Sequence, residues 1–356
     1  MHDLITFVAM PTYRKSVFLW LLCGAFMVFS MVVVGGITRL THSGLSITEW
    51  NVIMGTLPPL SLDQWNHAFD LYRQSPEYKI VNHGMSLSDF QGIFWWEYIH
   101  RLLARLMGIV FLVPFLYFLF RKMIDRKLVK RLVFIFFLGG FQGFLGWFMV
   151  KSGLQDKPNV SHYRLAAHLL TAFTTFAFIM LAALQYRQKE SVAPVISGAL
   201  RKMLFVVLPL VVVQIAYGAF VAGLKAGRIY NTYPMMGDSW MPDSVYTLSP
   251  SYLNALENMA GVQFVHRTLA LVILGFFGII LFMASREIPG TRLLKGIKIT
   301  GAFLLLQIML GIFTLLYAVP LTLGVLHQAV ALLLFASVLY VYHHSKETAN
   351  QKIVAE

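Results

Sequence analysis

A chain of 356 residues with 58% hydrophobic and only 13% charged side chains, mean hydropathy +0.67, is not a soluble domain, where roughly a quarter of residues are charged. The net charge of +13 would suit nucleic acid, but Lys and Arg fall in short clusters between long apolar runs, with no basic groove of interleaved aromatics. The single cysteine, Cys23, excludes an internal disulfide, a CxxC redox pair and a thiolate zinc site, and within its apolar run it is expected to be a buried small hydrophobe.

The first apolar run, about 17–37, is longer than a signal-peptide core and lacks a small-residue cleavage site, so it reads as a first membrane span. A spanning helix needs roughly 20 mainly apolar residues. Seven further segments qualify, near 95–120, 132–151, 163–186, 203–224, 263–285, 298–319 and 321–343. Only Pro320 separates the last two, because proline cannot continue a helix without losing a hydrogen bond. The predicted fold is therefore all-α, a polytopic membrane protein of eight helices.

Alternate connections differ sharply in basic residues. The tails and the connections 121–131, 187–202 and 286–298 carry eighteen Lys and Arg, against seven on the other side. The positive-inside rule places both termini in the cytoplasm or matrix and the long loops 38–94 and 225–262 outside. The loop order long, short, short then repeats, and Glu97-Tyr98-Ile99-His100-Arg101 matches Gln263-Phe264-Val265-His266-Arg267. Two tandem four-helix bundles of like orientation are predicted, residues 1–190 and 191–356.

Ionisable residues inside a bilayer are costly and are functional candidates. Of eleven histidines, His2, His42, His67, His83, His162, His343 and His344 fall at ends, loops or a helix boundary and read as solvated. His100, His168, His266 and His327 instead fall within about two turns of the outer ends of the second, fourth, sixth and eighth spans. Neutral imidazole suits zinc, copper and heme iron, but zinc wants four protein ligands. Heme iron needs only two axial ones, and facing helices of a bundle can supply them. Arg101, Arg105, Arg164 and Arg267 stand near these histidines, either to pair with heme propionates or to snorkel to the interface.

The halves are unequal. Glu97, on the face of His100, is matched by Gln263; Arg105 is matched by Leu271, and Arg164 by Leu323. Chemistry is expected in the first half and a redox or structural heme in the second, unless Glu97 serves only to pair with Arg101.

In their order and spacing these segments resemble the heme A synthase family. The resemblance rests on Gly35-Gly36-Ile37-Thr38-Arg39-Leu40-Thr41 with Ser43-Gly44-Leu45-Ser46, on Glu97 to Arg101, and on Trp147 to Leu154. It continues through Tyr163-Arg164-Leu165-Ala166-Ala167-His168, Gln263 to Arg267 and the final His327, so it spans essentially the whole chain. The long outer loops look like the branch found in proteobacteria and mitochondria.

The resemblance implies oxidation of a methyl group of heme O to a formyl group, giving heme A for cytochrome c oxidase. It implies heme b on His266 and His327, with Arg267 beside it. It places substrate heme O on His100 and His168 with Arg101, Arg105 and Arg164 near, and makes Glu97 essential for turnover. It also implies a bacterial or mitochondrial inner membrane, lipid contact, heme O synthase and oxidase assembly factors as partners, and a quinone or ferredoxin-like electron partner. A homo-oligomer is compatible with it. Some family members carry a cysteine pair in the first outer loop; residues 38–94 have none, so no thiol step transfers and Glu97 leads for proton handling or for stabilising a cationic intermediate. Two other classes remain, a di-heme membrane cytochrome b acting on quinone and a heme transporter. Histidine pairs near one face disfavour the first, and the Glu97/Gln263 difference has no reason in the second.

Overall fold

The computed structural model describes residues 14–48, 56–153, 160–187 and 194–355, with side chains of 152–153 and 346–355 outside the description. His2, Leu154 and Lys157 lie outside the described residues. The architecture is all-helical, with eight helices long and apolar enough to cross a membrane. In chain order the helices are α1 (Lys15–Leu40), α2 (Leu62–Arg73), α3 (Pro76–Ile80), α4 (Leu87–Phe120) and α5 (Arg126–Gly153). They continue with α6 (His162–Tyr186), α7 (Gly198–Gly223), α8 (Met259–Glu287), α9 (Arg292–Leu316) and α10 (Leu321–Ala355). All but the short α2 and α3 are the candidate spans.

Four spans form the centre. α1 packs on α6 and α10, and α7 packs on α6 and α10, so the first and last spans meet and the arrangement closes on itself. α4, α5, α8 and α9 lie outside this group and turn large apolar side chains outward, Phe120 and Phe137 among them at 78% and 68% exposed. A water-soluble fold would not leave such side chains bare; in a bilayer they meet lipid. One continuous apolar core, from Val17 and Leu21 through Phe173, Leu200 and Ile280 to Leu339, threads the central helices and joins both halves. Cys23 departs from expectation: it is exposed on α1, because Leu21 and Ala25 take the inward-facing positions.

α4 begins eight residues before the predicted span. Ser86 caps it, accepting from the Asp89 amide while Asp89 accepts from the Ser86 amide, a reciprocal capping box that fixes the start. Its first turns stand on an aromatic cluster of Phe69, Tyr72, Phe90, Phe94 and Tyr98, which fastens α2 and α3 to it. His100 therefore lies in about the fourth turn of α4 rather than the first two, while His168, His266 and His327 lie near the start of their helices. The α9–α10 break falls where Pro320 predicts it. Ala318 and Val319 adopt left-handed φ of 55° and 65°, and their amides bond back to Leu315 and Thr314 carbonyls. A β-branched residue in that region is strained, and the turn is held by those two bonds.

Candidate functional site

Each of the four span histidines lies against a glycine of a neighbouring helix. A Cβ placed on Gly35 of α1 would stand 3.3 Å from His100 Nε2, and one on Gly146 of α5 would stand 3.5 Å from His168 Cε1. On Gly218 of α7 it would meet His266 Cε1 at 3.4 Å, and on Gly311 of α9 His327 Cε1 at 3.0 Å. The four glycines lie towards the C-terminal ends of their helices, so all four imidazoles gather at one end of the bundle. His100 is within electrostatic reach of His168, and His266 of His327, which makes the pairs intra-half.

Three of the four glycines follow a glutamine by one helical turn. Gln142 Nε2 donates to the His168 carbonyl at 2.9 Å. Gln214 Nε2 lies 3.0 Å from the His266 carbonyl and 3.2 Å from its Nδ1, and Gln307 Nε2 lies 3.3 Å from His327 Nε2. The position one turn before Gly35 is Met31, which has no N–H or O–H to offer. Both second-half rings are thus engaged by amides and neither first-half ring is, among the described residues. The repeated Gln-x-x-x-Gly was present in the sequence, and aligning the two halves around their histidines would have revealed it.

Glu97 is 3% exposed and fully engaged. Its Oε2 accepts from Ser46 Oγ and the Ile47 amide, both at 2.8 Å; its Oε1 accepts from Arg101 Nη2 at 2.6 Å and Nε at 3.1 Å. Arg101 also donates to the Ile47 carbonyl at 2.8 Å. The pair spans one turn of α4 and clamps the segment leaving α1 over the histidines. In the second half Gln263 Nε2 donates to the Tyr230 carbonyl at 3.1 Å, and Arg267 Nη2 donates to the Thr232, Pro234 and Met235 carbonyls. The same clamp is built there without a carboxylate. Arg164 stacks over the Phe148 ring at 4.4 Å, and Arg105 lies on α4 beyond His100.

The histidines read as solvated divide. His67 and His83 are exposed. His162 and His343 are instead buried, at 7% and 8%. His162 is wedged where α6 meets α7, so close that a Cβ on Gly223 would come within 2.5 Å of its own Cβ. His344 stacks on Tyr340 with ring centroids 4.0 Å apart.

A family model described as COX15-CtaA, cytochrome oxidase assembly protein, matches residues 18–339. The chain belongs to that family. It is 44% identical to the heme A synthase of Flavobacterium johnsoniae over 94% of this chain and 99% of the relative. It is 47% identical to the heme A synthase of Nitrosospira multiformis over 93% of both chains. To that of Rhodospirillum centenum it is 47% identical over 92% of this chain and 88% of the relative. This COX15-CtaA member therefore stands among membrane enzymes whose named work involves heme, as its motifs led one to expect.

Proposed function

We propose that the protein is a heme A synthase, an oxidoreductase that converts a methyl group of heme O to a formyl group by successive hydroxylations and loss of water. The observation that carries this reading is the pair of intra-half histidine couples at one end of the bundle, alike in scaffold and unlike in bracing. The donor set fits an iron porphyrin. Among the described residues no three of His, Cys, Asp or Glu converge as a protein-only metal site would require. His168 and His327 each leave a buried Nδ1 without a hydrogen-bond partner, and porphyrin iron asks for just two axial imidazoles.

In this reading His266 and His327 would hold a resident heme b, with the Gln214 and Gln307 amides packed against their rings. His100 and His168 hold substrate heme O, with Arg105 and Arg164 near and no ring hydrogen bond to resist exchange. A heme so bound supplies redox chemistry, and the protein supplies ligands, orientation and charge. Glu97 stands one turn from His100 on α4, where a carboxylate would favour positive charge developing on a heme bound there. Its bonds to Ser46, Ile47 and Arg101 favour this fixed electrostatic role over proton carriage, since each oxygen is already held as an acceptor. Electrons leave to a quinone or a ferredoxin-like partner. Both termini lie on the cytoplasmic or matrix side, with the histidines near the outer face of a bacterial or mitochondrial inner membrane. The product serves cytochrome c oxidase.

The deciding experiment expresses the full chain with a heme O synthase and resolves extracted hemes by chromatography and mass. Heme A or a hydroxylated precursor is expected. Neither product, with the protein folded in the membrane, overturns the proposal.

A further inference from the structure

At the end of the bundle opposite the histidines, α9 and α10 part around a groove of about 430 Å³. Its Gly296 lies roughly 22 Å along α9 from Gly311, the glycine against His327. The floor is apolar, Ile299 and Phe303 from α9 with Leu333 and Ala336 from α10, and Arg292 and Lys295 line its outer end. Ile299 and Leu333 are exposed, so in a bilayer the groove opens on lipid. Arg292 and Lys295 are exposed too, with no hydrogen-bond or ion-pair partner among the described residues. The acid nearest to them in sequence, Glu287, is taken by the Ser197 amide and hydroxyl at 2.9 and 2.8 Å.

The first half fills the corresponding place. Setting Gln142 and Gly146 of α5 beside Gln307 and Gly311 of α9, and His168 beside His327, aligns Arg131, Phe134 and Phe178 with Gly296, Ile299 and Ser337. Phe134 and Phe178 meet edge to face with centroids 4.8 Å apart, and Arg131 donates to Gln185 across the two helices. The cations have counterparts in Lys127 and Lys130; what the second half lacks is the filling. Gly296 has no side chain, and a Cβ there would come within 2.9 Å of the Tyr340 ring. Ser337 is small and turns its hydroxyl back on the Leu334 carbonyl at 2.7 Å.

Shape and charge together select the occupant. A second copy of the chain would cover the apolar floor but leave the two cations uncompensated beside it. A zwitterionic lipid brings its own ammonium beside its phosphate. A phospholipid of net negative charge meets both demands, its acyl chain along Ile299, Phe303 and Leu333 and its phosphate at Arg292 and Lys295. We propose that the α9–α10 groove binds one anionic phospholipid, which supplies between these helices the filling that Phe134 and Phe178 supply in the first half. The lipid thereby braces the helix pair that brings Gly311 and His327 together. The inference does not depend on which reaction the protein performs.

Purified full-length protein in detergent micelles is offered equimolar phosphatidylglycerol and phosphatidylcholine with identical acyl chains, and retained lipid is read by native mass spectrometry. Retention of one phosphatidylglycerol on the order of tenfold over phosphatidylcholine is expected. The variant R292Q/K295Q should lose the preference, and I299F/S337F, which installs the first-half filling, should lose the bound lipid. Equal retention of the two lipids by the unaltered protein overturns the proposal, and so does a preference that survives either double variant. A lipid-free dimer in the same spectra would assign the groove to a second copy instead. A further measurement needs no variant. Phosphatidylglycerol with a photoreactive diazirine in its acyl chain, irradiated with the unaltered protein in nanodiscs, should label peptides that contain Phe303 or Leu333. Excess unlabelled phosphatidylglycerol should suppress that label and phosphatidylcholine should not. Label confined to other spans, or suppressed equally by both lipids, overturns the proposal.

Discussion

The two halves place histidine against glycine in the same way four times, yet treat the rings differently. In the second half Gln214 and Gln307 reach both imidazoles. In the first, Gln142 reaches only a backbone carbonyl and Met31 stands where the fourth glutamine would be. The clamp above the rings differs in the same sense: a charged Glu97–Arg101 pair on one side, a neutral Gln263 beside Arg267 on the other. In the proposed heme reading, the repeated histidine–glycine contacts would set where the ligands stand, and the side chains behind the rings would decide whether a site is fixed or exchangeable. Second-layer partners commonly orient imidazole ligands in this way.

The comparison can be broken most directly at the ligands. His266→Ala or His327→Ala should abolish the low-spin absorption of resident heme b, and an unchanged spectrum would remove these residues from the assignment. Glu97→Gln should come next, stopping heme A formation by two orders of magnitude or more while leaving the heme b spectrum intact, an effect of the size seen when a transition-state charge partner is removed, ~3 kcal/mol. Loss of heme b in that variant would make the Glu97–Arg101 clamp structural for both halves.

Exchanging the bracing is a finer probe. Gln214→Leu and Gln307→Leu should each speed loss of heme b to apomyoglobin several-fold, about 1 kcal/mol for one hydrogen bond, whereas Met31→Gln should slow release from the first site. Equal release rates in all three would mean that the amides do not distinguish the halves. The smallest effect concerns His42, outside the spans. Its folded pKa lies below the unfolded value of about 6.5, so the unfolded chain takes up the proton first. Stability should fall as pH drops through that value towards the folded pKa, and His42→Asn should flatten the loss. Thermal unfolding of the purified protein across pH ~5–7 reads it.

Much of this was legible in the sequence because the bilayer makes simple demands. Apolar length marked all eight spans, and Pro320 marked the α9–α10 break. What failed to read depended on which way a side chain turns. Apolar α1 carries no stripe that would say Cys23 faces outward. His162 looked like a boundary residue, yet Gly223 lets α7 come close enough to cover it. The early start of α4 was written in Ser86 and Asp89, a local cap that hydropathy overlooks. The glutamines were the larger omission: an amide within an apolar helix is neutral and draws little notice until its turn-long spacing to glycine is set beside that of its counterparts.

The closure of α1 on α10 has a consequence for how the protein is made. Gly36 is so near Gln328 that a Cβ would lie 2.9 Å from its Oε1, and Gln328 Nε2 donates to the Val32 carbonyl at 2.8 Å. Beside that contact, Gly35 forms the wall behind His100. The first helix to enter the membrane therefore waits for the last before its glycine face is covered. At synthesis rates of roughly 5–20 residues per second that interval is on the order of 15–60 s. During it, whatever insertion machinery or lipid receives the chain must keep that face from pairing wrongly, and the surroundings of His100 cannot acquire their final shape until the helix that carries His327 has arrived.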